Sequence, residues 1–122
     1  MALVLNEEQV MLKDAAAGFL AEKASVAHLR ALRDSGDQQG FAGEVWAEMA
    51  QMGWAGIAIP EAFGGLGYGY TGLGLVLEQA GRNLSASPLQ STVLVAATLV
   101  AELGNAQQKE AQIGRASCRE RV

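Results

Sequence analysis

Apolar residues recur every three or four positions along most of this chain, and that spacing restricts it to packed helices. Leu12, Ala15, Ala16, Phe19 and Leu20 fall on one side of a helix with about 3.6 residues per turn. Val26, Leu29 and Leu32 repeat the pattern, as do Phe41, Val45, Met49 and Met52. A fourth stripe joins Leu73, Val76, Leu77, Ala80 and Leu84. The run from Leu89 to Leu103 is apolar almost all round, which predicts a helix enclosed on several sides. The expected fold class is therefore all-α and bundle-like, with a glycine-rich loop between helices.

The helix ends are written in the sequence too. Asn6 can cap the first helix, and Gln9, three residues on, can complete a capping box. Glu7 and Glu8 then sit at the positive end of the helix dipole. Ser35 to Gly40, "SGDQQG", is a polar turn. Gly53 is a C-terminal stop, since glycine tolerates the left-handed conformation. "WAGIAIP" reads as extended, because Pro60 disfavours a helical Ile59. "EAFGGLGYGYTG" is a glycine-rich loop, "SASP" breaks the helix that follows, and Gly104 ends the apolar one. Asn105 then caps a last helix, "AQQKEAQ".

With 122 residues, half of them hydrophobic, the chain affords one core and no second full domain. The net charge is −4, and Ile113 to Val122 contribute three Arg against one Glu, a local +2. The first 112 residues thus carry −6, which argues against an electrostatic grip on nucleic acid. A single cysteine makes no internal disulfide. "MALVLNEEQ" lacks the basic and apolar regions of a signal peptide, and "VLVAATLVAEL" is well short of the ~20 residues that span a bilayer. The expectation is a soluble cytoplasmic protein without a membrane span.

At Ile113 the composition changes abruptly. The codons ATC GGA AGA GCG TCG TGT AGG GAA AGA GTG encode "IGRASCRERV" in order, and that string is the body of a widely used short-read sequencing adapter. The match covers ten consecutive residues. Residues 113–122, with Cys118 and three arginines, are therefore expected to be a non-native tail, and residues 1–112 a domain incomplete at its C-terminal end.

Candidate chemistry is sparse. Gly67, Gly69 and Gly72 fit G-x-G-x-x-G, but Pro60 and "EAFGG" stand where a buried strand should lead into a dinucleotide fingerprint. No acidic residue lies at the ribose position ~20 residues on, so flexible structural glycines are the better reading. His28, the one histidine, has no second His or Cys for a metal site and is expected on the solvated surface. Glu44, Glu48, Glu61 and Glu78 are carboxylates without an evident pocket partner. Ser91 has no nearby histidine to activate it. Trp46 and Trp54 are expected to pack in the core or at a domain contact.

The ordered motifs nonetheless resemble the amino-terminal domain of the acyl-CoA dehydrogenase family. They are an early "NEEQ", Phe19-Leu20, "W-x-x-M-A-x-M-G-W" from Trp46, and "I-P-E-x-F-G-G-L-G" from Ile59 to Gly67. "L-E-x-x-G-R-x-L" from Leu77 to Leu84, "S-P-L", and "L-G-N-A-Q-Q-K" from Leu103 follow. Order and spacing hold from about Asn6 to Gln112, and the Ile59–Gly67 loop with Gly81-Arg82 is the most specific part.

The resemblance implies a flavoenzyme whose FAD oxidises an acyl-CoA thioester to the 2,3-enoyl-CoA and passes electrons to an electron-transferring flavoprotein. It implies assembly as a tetramer or dimer. It also implies that the catalytic base and most FAD contacts lie in later domains, so that no catalytic, cofactor-binding or metal residue falls within this fragment and the fragment alone is inactive. By matching position, Gln90, Ser91, Val93 and Leu94 are the candidates for the wall of the acyl pocket, with packing against neighbouring helices as the other role open to them. Two other readings stay open: a stand-alone helical interaction module that uses the Leu89–Leu103 surface, and a related flavoenzyme with another substrate.

Overall fold

The computed structural model describes residues 4–116, and every regular element among them is helical. Cys118, Arg119 and Arg121 lie outside the described residues. Six α-helices run in chain order: α1 (Glu7–Lys23), α2 (Val26–Asp34), α3 (Gly43–Gln51), α4 (Gly69–Arg82), α5 (Ala97–Leu103) and α6 (Ala106–Ala116). Two 3-10 turns, Trp54–Gly56 and Glu61–Phe63, sit between α3 and α4, and a π-helix, Gln90–Ala96, runs directly into α5.

α1 starts where the capping signal puts it. The Asn6 side chain accepts from the Gln9 amide at 2.8 Å, and the Asn6 amide donates to Gln9 Oε1 at 3.0 Å. α6 is opened by the same device, with Gln108 N donating to Asn105 Oδ1 at 2.9 Å and Asn105 N donating to Gln108 Oε1 at 3.0 Å. Each pair satisfies two backbone N–H donors that a helix start otherwise leaves to water. Gly53 ends α3 at φ +85°, a conformation that costs a side-chain-bearing residue about 1–2 kcal/mol.

α1 and α4 form the most extensive helix pair. Ala16, Leu20 and Ala24 meet Leu73 and Val76, and Val45, Met49, Trp54, Ile57, Leu89 and Val93 close the core around them. The α1 stripe is narrower than its spacing suggests, because Ala15 is exposed and Leu12 and Phe19 are only half-buried. Phe19 meets Trp54 edge to face, with ring centroids 5.4 Å apart. On α4, Leu73 and Val76 are buried as expected, but Leu84 is exposed and the covered face takes in Leu75 and Gln79. α2 buries nothing completely: Val26, Leu29 and Leu32 are half-covered. His28 is half-buried rather than fully solvated, with Nδ1 shielded and unpartnered.

Two other expectations are corrected. "WAGIAIP" is not extended but coils tightly, with Ile57 N donating to Trp54 O and Ile59 N to Gly56 O. The steric constraint of Pro60 acts on Ile59 alone and leaves the preceding residues free to turn. The Leu89–Leu103 segment is covered on one side only. Leu89, Val93 and Ala97 are buried, whereas Val95, Leu99 and Leu103 are exposed. A second, smaller core joins Ile59, Ala97 and Ile113, with Val100 and Ala101 against it, and docks α6 onto the domain.

Candidate functional site

The end of α4 and the start of the π-helix leave a recess between them. α4 closes with the paired hydrogen bonds of a Schellman motif, Ser85 N to Ala80 O at 2.9 Å and Leu84 N to Gly81 O at 3.2 Å. The left-handed residue of that motif is Leu84, at φ +48°, where glycine is usual. The chain then leaves the helix axis and is pinned by Ser85 Oγ, which donates to Ala24 O at the end of α1 at 2.7 Å. Pro88 starts the next element, with Thr92 N donating to Pro88 O at 2.9 Å, and buried Leu89 anchors it. In the π-helix the Ala97 amide reaches back five residues to Thr92 O. Short π segments inside helices are frequent at functional sites.

The recess has a volume of ≈ 260 Å³ and is lined by Leu77, Ala80, Ser85, Ser87, Gln90 and Leu94. Of the four residues singled out in the sequence, Gln90 and Leu94 meet here. Ser91 does not line it; its hydroxyl donates to Pro88 O at 3.1 Å on the exposed side of the helix. Val93 is 1% exposed and part of the main core. Leu77, Ala80, Ser85 and Ser87 were missed. The hint was the "SASP" break, whose hydroxyls fall beside the residue that opens the next helix.

A second recess, of ≈ 320 Å³, lies beside the glycine-rich loop, where Met11, Met52, Leu66 and Tyr68 give it an apolar surface. Its shape depends on Gly53, because a Cβ there would stand 2.8 Å from Leu66 Cδ1.

Glu8 lines the second recess, but Glu44, Glu48, Glu61 and Glu78 line neither. Glu78 pairs with Arg82 at 3.0 Å along α4, and Glu48 lies 4.0 Å from Lys23 Nζ. Among the described residues, no cluster of three or more His, Cys, Asp or Glu side chains could hold a metal ion. No described helix is long and apolar enough to cross a membrane.

The glycine loop does not fit a dinucleotide. Its amides are spent on the turn preceding it: Leu66 N donates to Gly56 O, Gly67 N to Ile59 O and Tyr68 N to Ile57 O. Gly67 and Gly69 serve left-handed positions, both at φ +67°. Gly72 allows close packing, since a Cβ there would stand 2.7 Å from Tyr68 Cβ. The Leu66, Gly67 and Tyr68 amides are therefore committed to the fold rather than free to cradle a pyrophosphate.

An all-helical domain with these motifs and a recess at the α4–π-helix corner matches one family model, "Acyl-CoA dehydrogenase, N-terminal domain", over residues 6–117. The chain belongs to the acyl-CoA dehydrogenase family. It is 34% identical over 96 residues to acyl-CoA dehydrogenase IpdE2 of Mycobacterium tuberculosis, an alignment covering 78% of this chain and 30% of that protein. Among solved structures it is similar to a variant of the Tcur3481-Tcur3483 steroid ACAD, with 34% identity, TM-score 0.75, and coverage of 88% of this chain and 30% of that one. It is also similar to the ChsE4-ChsE5 complex from Mycobacterium tuberculosis, with 25% identity, TM-score 0.84, and coverage of 100% of this chain and 33% of that one. The chain spans about a third or less of the length of these relatives.

Proposed function

We propose that this chain is the N-terminal domain of an FAD-dependent acyl-CoA dehydrogenase that converts acyl-CoA thioesters to their 2,3-enoyl products. The observation that carries the reading is the family match over residues 6–117, with the motifs in family order. Within the whole enzyme the domain contributes part of the acyl-pocket wall through Gln90 and Leu94, and packs against the domains that hold FAD and the catalytic base. Gln90 and Leu94 at the recess support that role most directly. Val93 acts from behind, since it fixes the helix to the core. Electrons leave to an electron-transferring flavoprotein, and the enzyme assembles as a dimer or tetramer.

The domain contributes surface and shape rather than a proton acceptor. A base for the proton α to the thioester must sit within hydrogen-bond reach of it in a dry pocket. No carboxylate lines the recess. The 122-residue chain by itself is therefore inactive on this reading, and residues 113–122 derive from translated adapter sequence. The exposed row of Val95, Leu99 and Leu103 is the surface that the remaining domains cover.

Two preparations test this. The 122-residue chain should purify colourless and fail to reduce a dye acceptor with any acyl-CoA. The protein encoded by the uninterrupted source gene should carry flavin and reduce the dye with at least one acyl-CoA. A flavin-loaded, active 122-residue chain would overturn the division of labour, and a flavin-free full-length product would overturn the enzyme reading.

A further inference from the structure

We infer that Met11 and Met52 form a reversible oxidation site: hydrogen peroxide turns both thioethers into sulfoxides and changes the recess beside the glycine-rich loop from apolar to polar while the fold stays intact. The inference needs only this domain's own surface and does not depend on the acyl-pocket reading.

Met11, Met49 and Met52 are the methionines among the described residues, and the structure sorts them. Met11, on α1, is 71% exposed. Met52, which caps the end of α3, is 40% exposed. Both line the ≈ 320 Å³ recess, together with Leu12, Trp54, Leu66 and Tyr68. Met49, one turn before Met52, is 0% exposed and belongs to the main core. Two thioethers therefore meet solvent at one apolar surface, and a third on the same side of the sequence is shielded from it.

The chemistry needs contact with dissolved peroxide and nothing else. The sulfur lone pair attacks one peroxide oxygen, the O–O bond breaks and an S–O bond forms. The departing hydroxide takes the proton from the transferred oxygen and leaves as water. Sulfur loses two electrons and the peroxide is reduced. A flexible apolar side chain becomes a polar, chiral one. A methionine sulfoxide reductase reverses the step: the oxygen leaves as water and a dithiol is oxidised to a disulfide.

Placement makes this a change of surface rather than damage. Trp54 belongs to the main core and Leu12 packs against it, so these two form the floor of the recess. Met11 and Met52 stand above that floor with much of their surface in water. Their sulfoxide oxygens can be hydrated, so oxidation leaves no unpaired polar atom buried. The same oxygen on Met49 would be enclosed among Leu20, Val45 and Trp54, members of the same core.

The test treats the 122-residue chain, and the protein encoded by the uninterrupted source gene, with hydrogen peroxide and maps the products by peptide mass spectrometry. Met11 and Met52 should each gain one oxygen, and Met49 should react at least about tenfold more slowly. The oxidised 122-residue chain should elute earlier from a phenyl resin and keep its Tm within about 2 °C of the untreated chain. Methionine sulfoxide reductase with dithiothreitol should restore its retention. The double variant Met11→Leu/Met52→Leu, which preserves apolar volume and still carries Met1, Met49 and Cys118, should show no peroxide-induced shift. Met11→Leu alone, at the more exposed position, should remove part of it. Oxidation of Met49 as fast as Met52, an equal shift in the double variant, or unfolding once Met11 and Met52 are oxidised would each overturn the inference. Protection of both residues in the longer protein would overturn it too, and would leave the enzyme reading untouched.

Discussion

Replacing Gly65 by alanine tests whether the glycine-rich loop is held as the structure describes. Gly65 faces the preceding turn so closely that an added Cβ would stand 2.5 Å from the carbonyl carbon and from the Cβ of Ile59, with the Ile59 carbonyl oxygen closer still. Ordinary contact begins near 3.4 Å. The loop and the Ile59 backbone must therefore separate by about an ångström, and neither is a flexible side-chain tip. That movement strains or breaks Gly67 N to Ile59 O at 3.0 Å and Gly65 N to Pro60 O at 3.2 Å. Each hydrogen bond is worth about 1 kcal/mol net. Displacing Ile59, which is 3% exposed, from the smaller core adds a similar amount. The expected loss is about 3 kcal/mol, from a total that is ordinarily about 5–15 kcal/mol.

For a chain of this size that loss lowers Tm by roughly 10 °C. The assay is thermal unfolding followed by far-UV circular dichroism. Gly81→Ala is the matched control, because Gly81 is helical and exposed with nothing within 4 Å of its missing Cβ. It should raise stability by about 0.5–1 kcal/mol through helix propensity and a more restricted unfolded chain. A Gly65→Ala protein melting within 2 °C of the parent, on roughly this scale of effect, would refute the close approach.

Two further outcomes follow from the helix ends. Asn6→Ala removes the side-chain oxygen that accepts from the Gln9 amide, while the Asn6 amide can still donate to Gln9 Oε1, and should cost about 1 kcal/mol, read as a drop in the urea midpoint. Leu84→Gly relieves a left-handed leucine that is 59% exposed, and should raise stability by about 0.5–1 kcal/mol, read as a higher urea midpoint, the strain relief exceeding the added freedom of the unfolded chain.

The fold class and the capped ends were legible because both depend on short-range patterns. Asn6 with Gln9 and Asn105 with Gln108 need only three residues of sequence to be recognised. The Trp54–Ile59 coil was not legible. Its conformation is fixed by carbonyls that receive amides from Leu66, Gly67 and Tyr68, a pairing across a loop that periodicity does not report. Leu84 was read into the apolar stripe because its spacing fits, yet a left-handed turn carries it off the helix axis. The π-helix was hidden for a similar reason: hydrogen bonds that reach back five residues instead of four rotate the positions that follow without changing composition. Hence the candidate wall residues divided, with Gln90 and Leu94 at the recess, Val93 in the core and Ser91 on the outer side.

Ile113 brings the two halves of the reading into contact. On the adapter hypothesis it is the first foreign residue, yet its side chain is 1% exposed and completes the smaller core with Ile59 and Ala97. The two statements are compatible, because the slot is built by residues upstream of it. α6 begins at Ala106 behind the Asn105 cap, and its axis carries whatever occupies position 113 to the surface of Ile59 and Ala97. Burying an isoleucine side chain there is worth about 2–3 kcal/mol, whereas an unpaired charge in the same place would undock the helix.

If the natural gene reads on beyond codon 112, its residue 113 should therefore be a large aliphatic one. Sequencing the locus checks this directly. A charged or strongly polar residue there would mean that α6 docks through Ile113 only by accident of the adapter frame. In the 122-residue chain itself, Ile113→Asp should abolish hydrogen-exchange protection of the 109–112 amides and leave α1 and α4 protected. Unchanged protection at 109–112 would show that the smaller core does not hold α6.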